Sequence, residues 1–126
     1  MSVTAKKLLT VIEFIEHAQY PALYKNLGYE VTTEWQVRKA VSLVRKIKPD
    51  VIVADFYFQS DFRDRLSNLE SLLAATQLLK DFRVMVFYEP ANEHALDRVR
   101  ERMQIDAALP MPASEEVIKA VLQRWL

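Results

Sequence analysis

The side chain with the most chemical promise is Asp55, because an unbroken apolar run, Val51-Ile52-Val53-Ala54, ends in its carboxylate. Small and β-branched residues without polar alternation read as a strand covered on both faces, the setting of central strands in parallel sheets. A carboxylate at the end of such a strand lies where open α/β sheets bind ligands, in the crevice beyond their carboxyl ends. The plain alternative is a structural one, with Asp55 capping a nearby backbone amide. Glu13 stands at or just after the end of an earlier apolar run, Leu8–Ile12. His17 follows it, where a phosphate carrier could sit, and His94 lies in a later helical stretch; a helical histidine with no motif around it is more often structural. The chain has no cysteine, which excludes disulfides and thiolate metal sites. Its one glycine, Gly28, excludes the Gly-rich phosphate loops of dinucleotide and P-loop proteins.

Five apolar, strand-like segments alternate with amphipathic helical ones, which predicts βα units and a parallel sheet. The first strand is Leu8–Ile12. Pro21 falls in the middle of Ile15–Leu27, so the helix there either kinks or starts late with Pro21 in its first turn. Gly28 is placed to cap its end with a positive φ. A short strand, Tyr29–Thr32, precedes Thr33 and Gln36, which have the spacing of a capping box, and Val37, Ala40, Val41, Val44 and Ile47 then share a helical face. Beyond Asp55 runs a loop rich in aromatics and alternating charge. Ser67 and Glu70 form a second capping box ahead of Leu69, Leu72, Leu73 and Leu79.

Val84–Phe87 is the fourth strand. Asn92 is placed to cap a helix that buries Ala95, Leu96, Val99 and Met103 and turns Asp97, Arg98, Arg100, Glu101 and Arg102 to water. Ile105–Leu109 is the fifth strand. Ser114, with Glu115 and Glu116 in the first turn, opens a last helix whose apolar positions are Val117, Ile118, Val121, Leu122 and Trp125. The expected fold is α/β, a single (βα)5 flavodoxin-like three-layer domain over residues 1–126 with parallel strand order 2-1-3-4-5. Its switch point, between strands one and three, places Glu13 next to Asp55.

This pattern resembles the receiver domain of response regulators, the CheY-like module of two-component and phosphorelay signal transduction. The resemblance rests on Gly28-Tyr29-Glu30-Val31 entering strand two, on Lys48-Pro49-Asp50-Val51-Ile52-Val53-Ala54-Asp55, and on a fifth strand followed by a proline and a final helix. It implies that Asp55 occupies the phospho-acceptor position, with Glu13 and Asp55 as a weak Mg²⁺ pair. In the family, two acidic residues follow strand one, a hydroxyl residue ends strand four, and a lysine before a proline ends strand five. Here Glu13 supplies one acid of the pair, between Ile12 and Phe14. Tyr88 takes the hydroxyl position with a bulkier group, Met111 before Pro112 replaces the lysine, and Ala108 falls near the position of the family's switching aromatic. Lysine and metal together neutralise phosphoryl oxygens in the transition state, so these departures imply a degenerate member, a pseudo-receiver.

The 17 basic and 17 acidic residues cancel and no long Lys/Arg run is present, which argues against direct nucleic-acid binding. The polar stretch Met1–Lys7 precedes an apolar run too short to span a bilayer, so the expectation is a cytoplasmic protein with no membrane association. The function expected is non-enzymatic signalling through protein–protein contact, with a protein partner or as a homodimer. Phe56, Tyr57, Phe58 and Phe62 are either core lids over the strand ends or an interaction loop. No cofactor is expected; Mg²⁺ enters only in the alternative of a working receiver modified on Asp55. A further alternative is a flavodoxin-like small ligand-binding domain or enzyme.

Overall fold

The computed structural model describes residues 5–12, 20–56 and 68–126. Its core is a five-stranded parallel sheet: β1 (Lys7–Val11), β2 (Glu30–Glu34), β3 (Val51–Phe56), β4 (Arg83–Tyr88) and β5 (Ala107–Pro110). The order is β2-β1-β3-β4-β5, as the alternation of segments predicts. Every residue of β3 is buried, and so are the four central residues of β4, which explains why both read as unbroken apolar runs. Strand limits differ from the expected ones by one or two residues. β1 and β2 are displaced within their runs, and β5 begins at Ala107, with Ile105 packed against the core ahead of it.

Side-chain alternation splits the core into two layers. Leu9, Val11, Ile52, Ala54, Phe56, Val84 and Val86 face α2 (Val37–Ile47), α3 (Asn68–Ala75) and α4 (Glu93–Arg100). Leu8, Ile12, Val51, Val53, Met85 and Phe87 face α1 (Pro21–Asn26) and α5 (Glu115–Arg124). On the first side a contact of 2.7 Å between Arg102 and the buried carboxylate of Glu70 ties the end of α4 to α3. On the other, the Tyr29 hydroxyl donates to the Leu122 carbonyl at 2.7 Å and anchors α5 to the start of β2. Burial, with a smaller contribution from the nearby Asp50 charge, pushes the Tyr29 hydroxyl up to about 12.

The helix ends follow local chemistry, with some departures from the sequence reading. Among the described residues α1 starts late, with Pro21 in its first turn. Gly28, at φ +105°, closes it, its N–H donating to Lys25 O at 3.0 Å while Tyr29 N–H donates to Tyr24 O at 3.2 Å. These two bonds are the paired 5→2 and 6→1 closures of a Schellman motif. Ser114 caps α5 as expected, its Oγ accepting from Val117 N at 3.2 Å. The Thr33–Gln36 capping box does not form, because Thr33 is still in β2, paired with Thr10. α2 has no side-chain cap; the Glu34 carboxylate instead accepts from Trp35 N at 2.9 Å and Gln36 N at 3.0 Å in the turn ahead of the helix. Asn92 makes no side-chain cap, since a 3-10 turn over Pro90–Asn92 leads directly into α4. Val117, expected inside, is 47% exposed: the buried stripe of α5 is Ile118, Val121 and Leu122, one position further round the helix.

Candidate functional site at the carboxyl end of the sheet

Asp55 is 4% exposed and sits one residue before the end of β3, since Phe56 still pairs with Tyr88. By the alternation of the strand its side chain belongs with Val51 and Val53 on the α1–α5 face. Its register partner in β4 is Phe87, and continuing the β1 register past Val11 places Ile12 on its other side. Both neighbours are fully buried and apolar. Leu109 and Met111 pack against the same cluster as Phe87, so the near end of β5 brings hydrocarbon and thioether to this face as well.

This geometry corrects one placement. The strand-four residue beside Asp55 is Phe87; Tyr88 lies one residue on and packs into the opposite layer with Ala108. The reason is the register, which no single-sequence spacing fixes: two parallel strands of equal length can slide by one residue, and that slip exchanges the faces. Tyr88 contributes its backbone instead, its carbonyl accepting from Met111 N at 2.8 Å, which holds the turn after β5 against the end of β4. Met111 is half-buried there.

Phe56, offered either as a lid or as part of an interaction loop, is the last residue of β3 and is 1% exposed in the core beneath α2 and α3, on the face opposite the Asp55 side chain. Glu13, His17, Tyr57, Phe58, Phe62 and Ser67 lie outside the described residues. His94 is on the exposed side of α4. Among the described residues no group of three or more His, Cys, Asp or Glu side chains could hold a metal ion. The receiver fold implies Mg²⁺, which takes several oxygen ligands in near-octahedral array. Among the described residues Asp55 is flanked by Ile12 and Phe87, which bring no side-chain oxygen, and Glu13 lies outside them.

A polar cleft of about 620 Å³ opens at the other, amino-terminal edge of the sheet, lined by Lys6, Asp50, Arg83, Gln104, Asp106 and Arg124, among others. Two of its carboxylates, Asp50 and Asp106, are committed to the fold. Asp50 accepts from Lys7 N at 2.9 Å, and Asp106 accepts from Val84 N and Gln104 Nε2, each at 2.8 Å. Lys6 Nζ donates to Trp125 O at 2.7 Å. These groups satisfy strand-start amides and a helix-end carbonyl.

No protein-family model matches the sequence, and no curated protein matches it either. Solved structures do match. The chain resembles a CheY-like response-regulator receiver domain from Methylobacillus flagellatus, with 15% identity, TM-score 0.71, and coverage of 98% of this chain and 100% of that one. It is similar to the chemotaxis response regulator CheY4 of Vibrio cholerae, with 21% identity, TM-score 0.69, and 98% and 100% coverage. It is also similar to the receiver domain of a sensor histidine kinase from Pseudomonas aeruginosa, solved with a magnesium ion coordinated in its active-site cleft, at 18% identity, TM-score 0.69, and 97% and 98% coverage. At these identities the likeness concerns architecture, and the chain therefore has the fold of CheY-like response-regulator receiver domains.

Proposed function

We propose that this chain is a receiver-type module of two-component signal transduction that works by protein–protein contact, without a phosphorylation switch on Asp55. The observation that carries the reading is which side chains stand beside that carboxylate on the neighbouring strands. Phe87 stands where the receiver pattern asks for a hydroxyl residue, and Met111, half-buried against the same cluster, stands where it asks for a lysine. Phosphoryl transfer depends on cations placed to meet charge as it develops. Losing one such group typically costs about 10²–10³-fold in rate, or roughly 3–4 kcal/mol, and the metal site is depleted as well. What the fold then offers a signalling pathway is its surface. No helix among the described residues is long and apolar enough to cross a membrane.

The test is to incubate the protein with Mg²⁺ and acetyl phosphate and to measure its intact mass, with Asp55→Asn in parallel. The expected result is no phosphoryl adduct in either protein. One adduct on the wild type, absent from Asp55→Asn, would replace this reading with that of a working phospho-acceptor.

A further inference from the structure

Helix α2 divides its residues sharply. Ala40 and Val44 are buried, while Arg38, Lys39, Arg45 and Lys46 are exposed, two turns of positive charge with no acidic residue anywhere in the helix. Among the described residues none of the four makes an ion pair or a side-chain hydrogen bond. Their placement also runs against the field of the helix. The first turn of a helix is its positive end and favours acids; α4 and α5 follow the rule with Glu93 and with Glu115 and Glu116, but α2 opens with Arg38 and Lys39. Among the described residues no ion pair or side-chain hydrogen bond to Arg38 or Lys39 offsets them; the Glu34 carboxylate accepts from Trp35 N and Gln36 N ahead of the helix. The described contacts of the fold make no use of these cations.

Trp35 stands just ahead of them and is 50% exposed, held in the turn between β2 and α2 rather than in a helix. A half-exposed tryptophan beside arginines is the composition of an interface anchor. Lys48, exposed in the left-handed conformation that ends α2, extends the charge to the far end.

We propose that the outer face of α2, from Trp35 to Lys48, docks a carboxylate-rich segment of a protein partner. Charge complementarity argues for this occupant over a polyphosphate. Four of the chain's 17 bases lie in α2, leaving 13 bases against 17 acids, four net negative charges, on the remainder. A long nucleic acid laid on α2 would run on over that repelling remainder. A short acidic segment would not: eleven helical residues span about 16 Å, the length of a few helical turns. The surface is independent of the chemistry at Asp55, and the result there leaves it untouched.

The probe is a fluorescein-labelled peptide of about ten glutamates with a leucine at one end, followed by anisotropy at low and high salt. Binding should appear at low salt and weaken as salt screens it. The pairs Arg38→Glu/Lys39→Glu and Arg45→Glu/Lys46→Glu should each weaken it at least tenfold, while Arg98→Glu/Arg100→Glu on α4 should not. Amide shifts in labelled protein should concentrate on residues 35–48. The melting temperature of Arg38→Glu/Lys39→Glu should hold or rise, since acids suit that helix end. The proposal is overturned by absent binding at low salt, by equal loss from the α4 pair, or by tighter binding of oligodeoxythymidine of matched length through the same residues. Self-association abolished by the α2 variants would give the face to a second copy instead, and a fall in melting temperature would make the charges structural.

Discussion

Removing one oxygen, in Tyr29→Phe, probes the contact that fastens the last helix to the sheet. The Tyr29 hydroxyl reaches Leu122 O at 2.7 Å across 93 residues of sequence. A buried neutral hydrogen bond of this kind contributes about 1 kcal/mol net. The larger penalty of an orphaned acceptor does not apply, because Trp125 N also donates to Leu122 O, at 3.2 Å. The ring stays in its apolar cluster, so no cavity opens. Below pH 10 the variant should therefore be about 1 kcal/mol less stable by urea unfolding. The pH dependence gives a second, independent signature. The folded hydroxyl ionises at about 12, above the ordinary value of 10.0, so folding holds the proton. Its contribution is fully present below the unfolded value and is lost as pH rises from about 10 through about 12. The wild type should lose its advantage over Tyr29→Phe across that window, and Tyr24, whose hydroxyl burial pushes up further, cancels because both proteins carry it. A stability difference that stays constant from pH 8 to pH 11, or a variant as stable as the wild type at neutral pH, would refute the account of this contact.

Gly28→Ala should cost about 1–2 kcal/mol in thermal unfolding, all of it backbone strain at φ +105°, since an added Cβ there meets nothing within 4 Å. Ser114→Ala should cost about 1 kcal/mol by removing the cap on Val117 N, with Ser114→Asp close to neutral. Asp55→Asn should leave the fold intact and shift stability by under about 1 kcal/mol, because relief of like-charge repulsion needs other carboxylates close by and the described residues form no acidic cluster; a large gain in melting temperature would show that such carboxylates crowd the site.

The sheet order was legible because strand-like segments, plainest in the apolar runs of β1, β3 and β4, alternate with amphipathic ones, and parallel βα units admit few topologies. Gly28 and Ser114 were legible because their roles depend on local backbone geometry alone. What the sequence hid depends on where elements stop. The Thr33–Gln36 spacing fits a capping box, yet pairing of Thr33 with Thr10 and of Glu34 with Val11 carries β2 past it. Trp35 reads as helical for the same reason, and the structure puts it in the turn, half-exposed. At the site, Asp55 was visible as the carboxylate ending an apolar run. Its neighbour was not: whether Phe87 or Tyr88 stands beside it is a question of register between strands, decided by the packing of two whole layers.

The central proposal is that Asp55 does not serve as a phosphoryl acceptor, and the most direct test is a titration of isotopically labelled protein with millimolar Mg²⁺ and beryllofluoride, a phosphoryl mimic. The amide signals of Asp55, Phe56, Phe87, Tyr88 and Met111 report on both sides of the site. With Phe87 and Met111 where a hydroxyl and a cation are needed, those amides should stay in place across the titration. Saturable shifts of the same amides, lost in Asp55→Asn, would contradict the account and return the chain to the phosphorylated receivers.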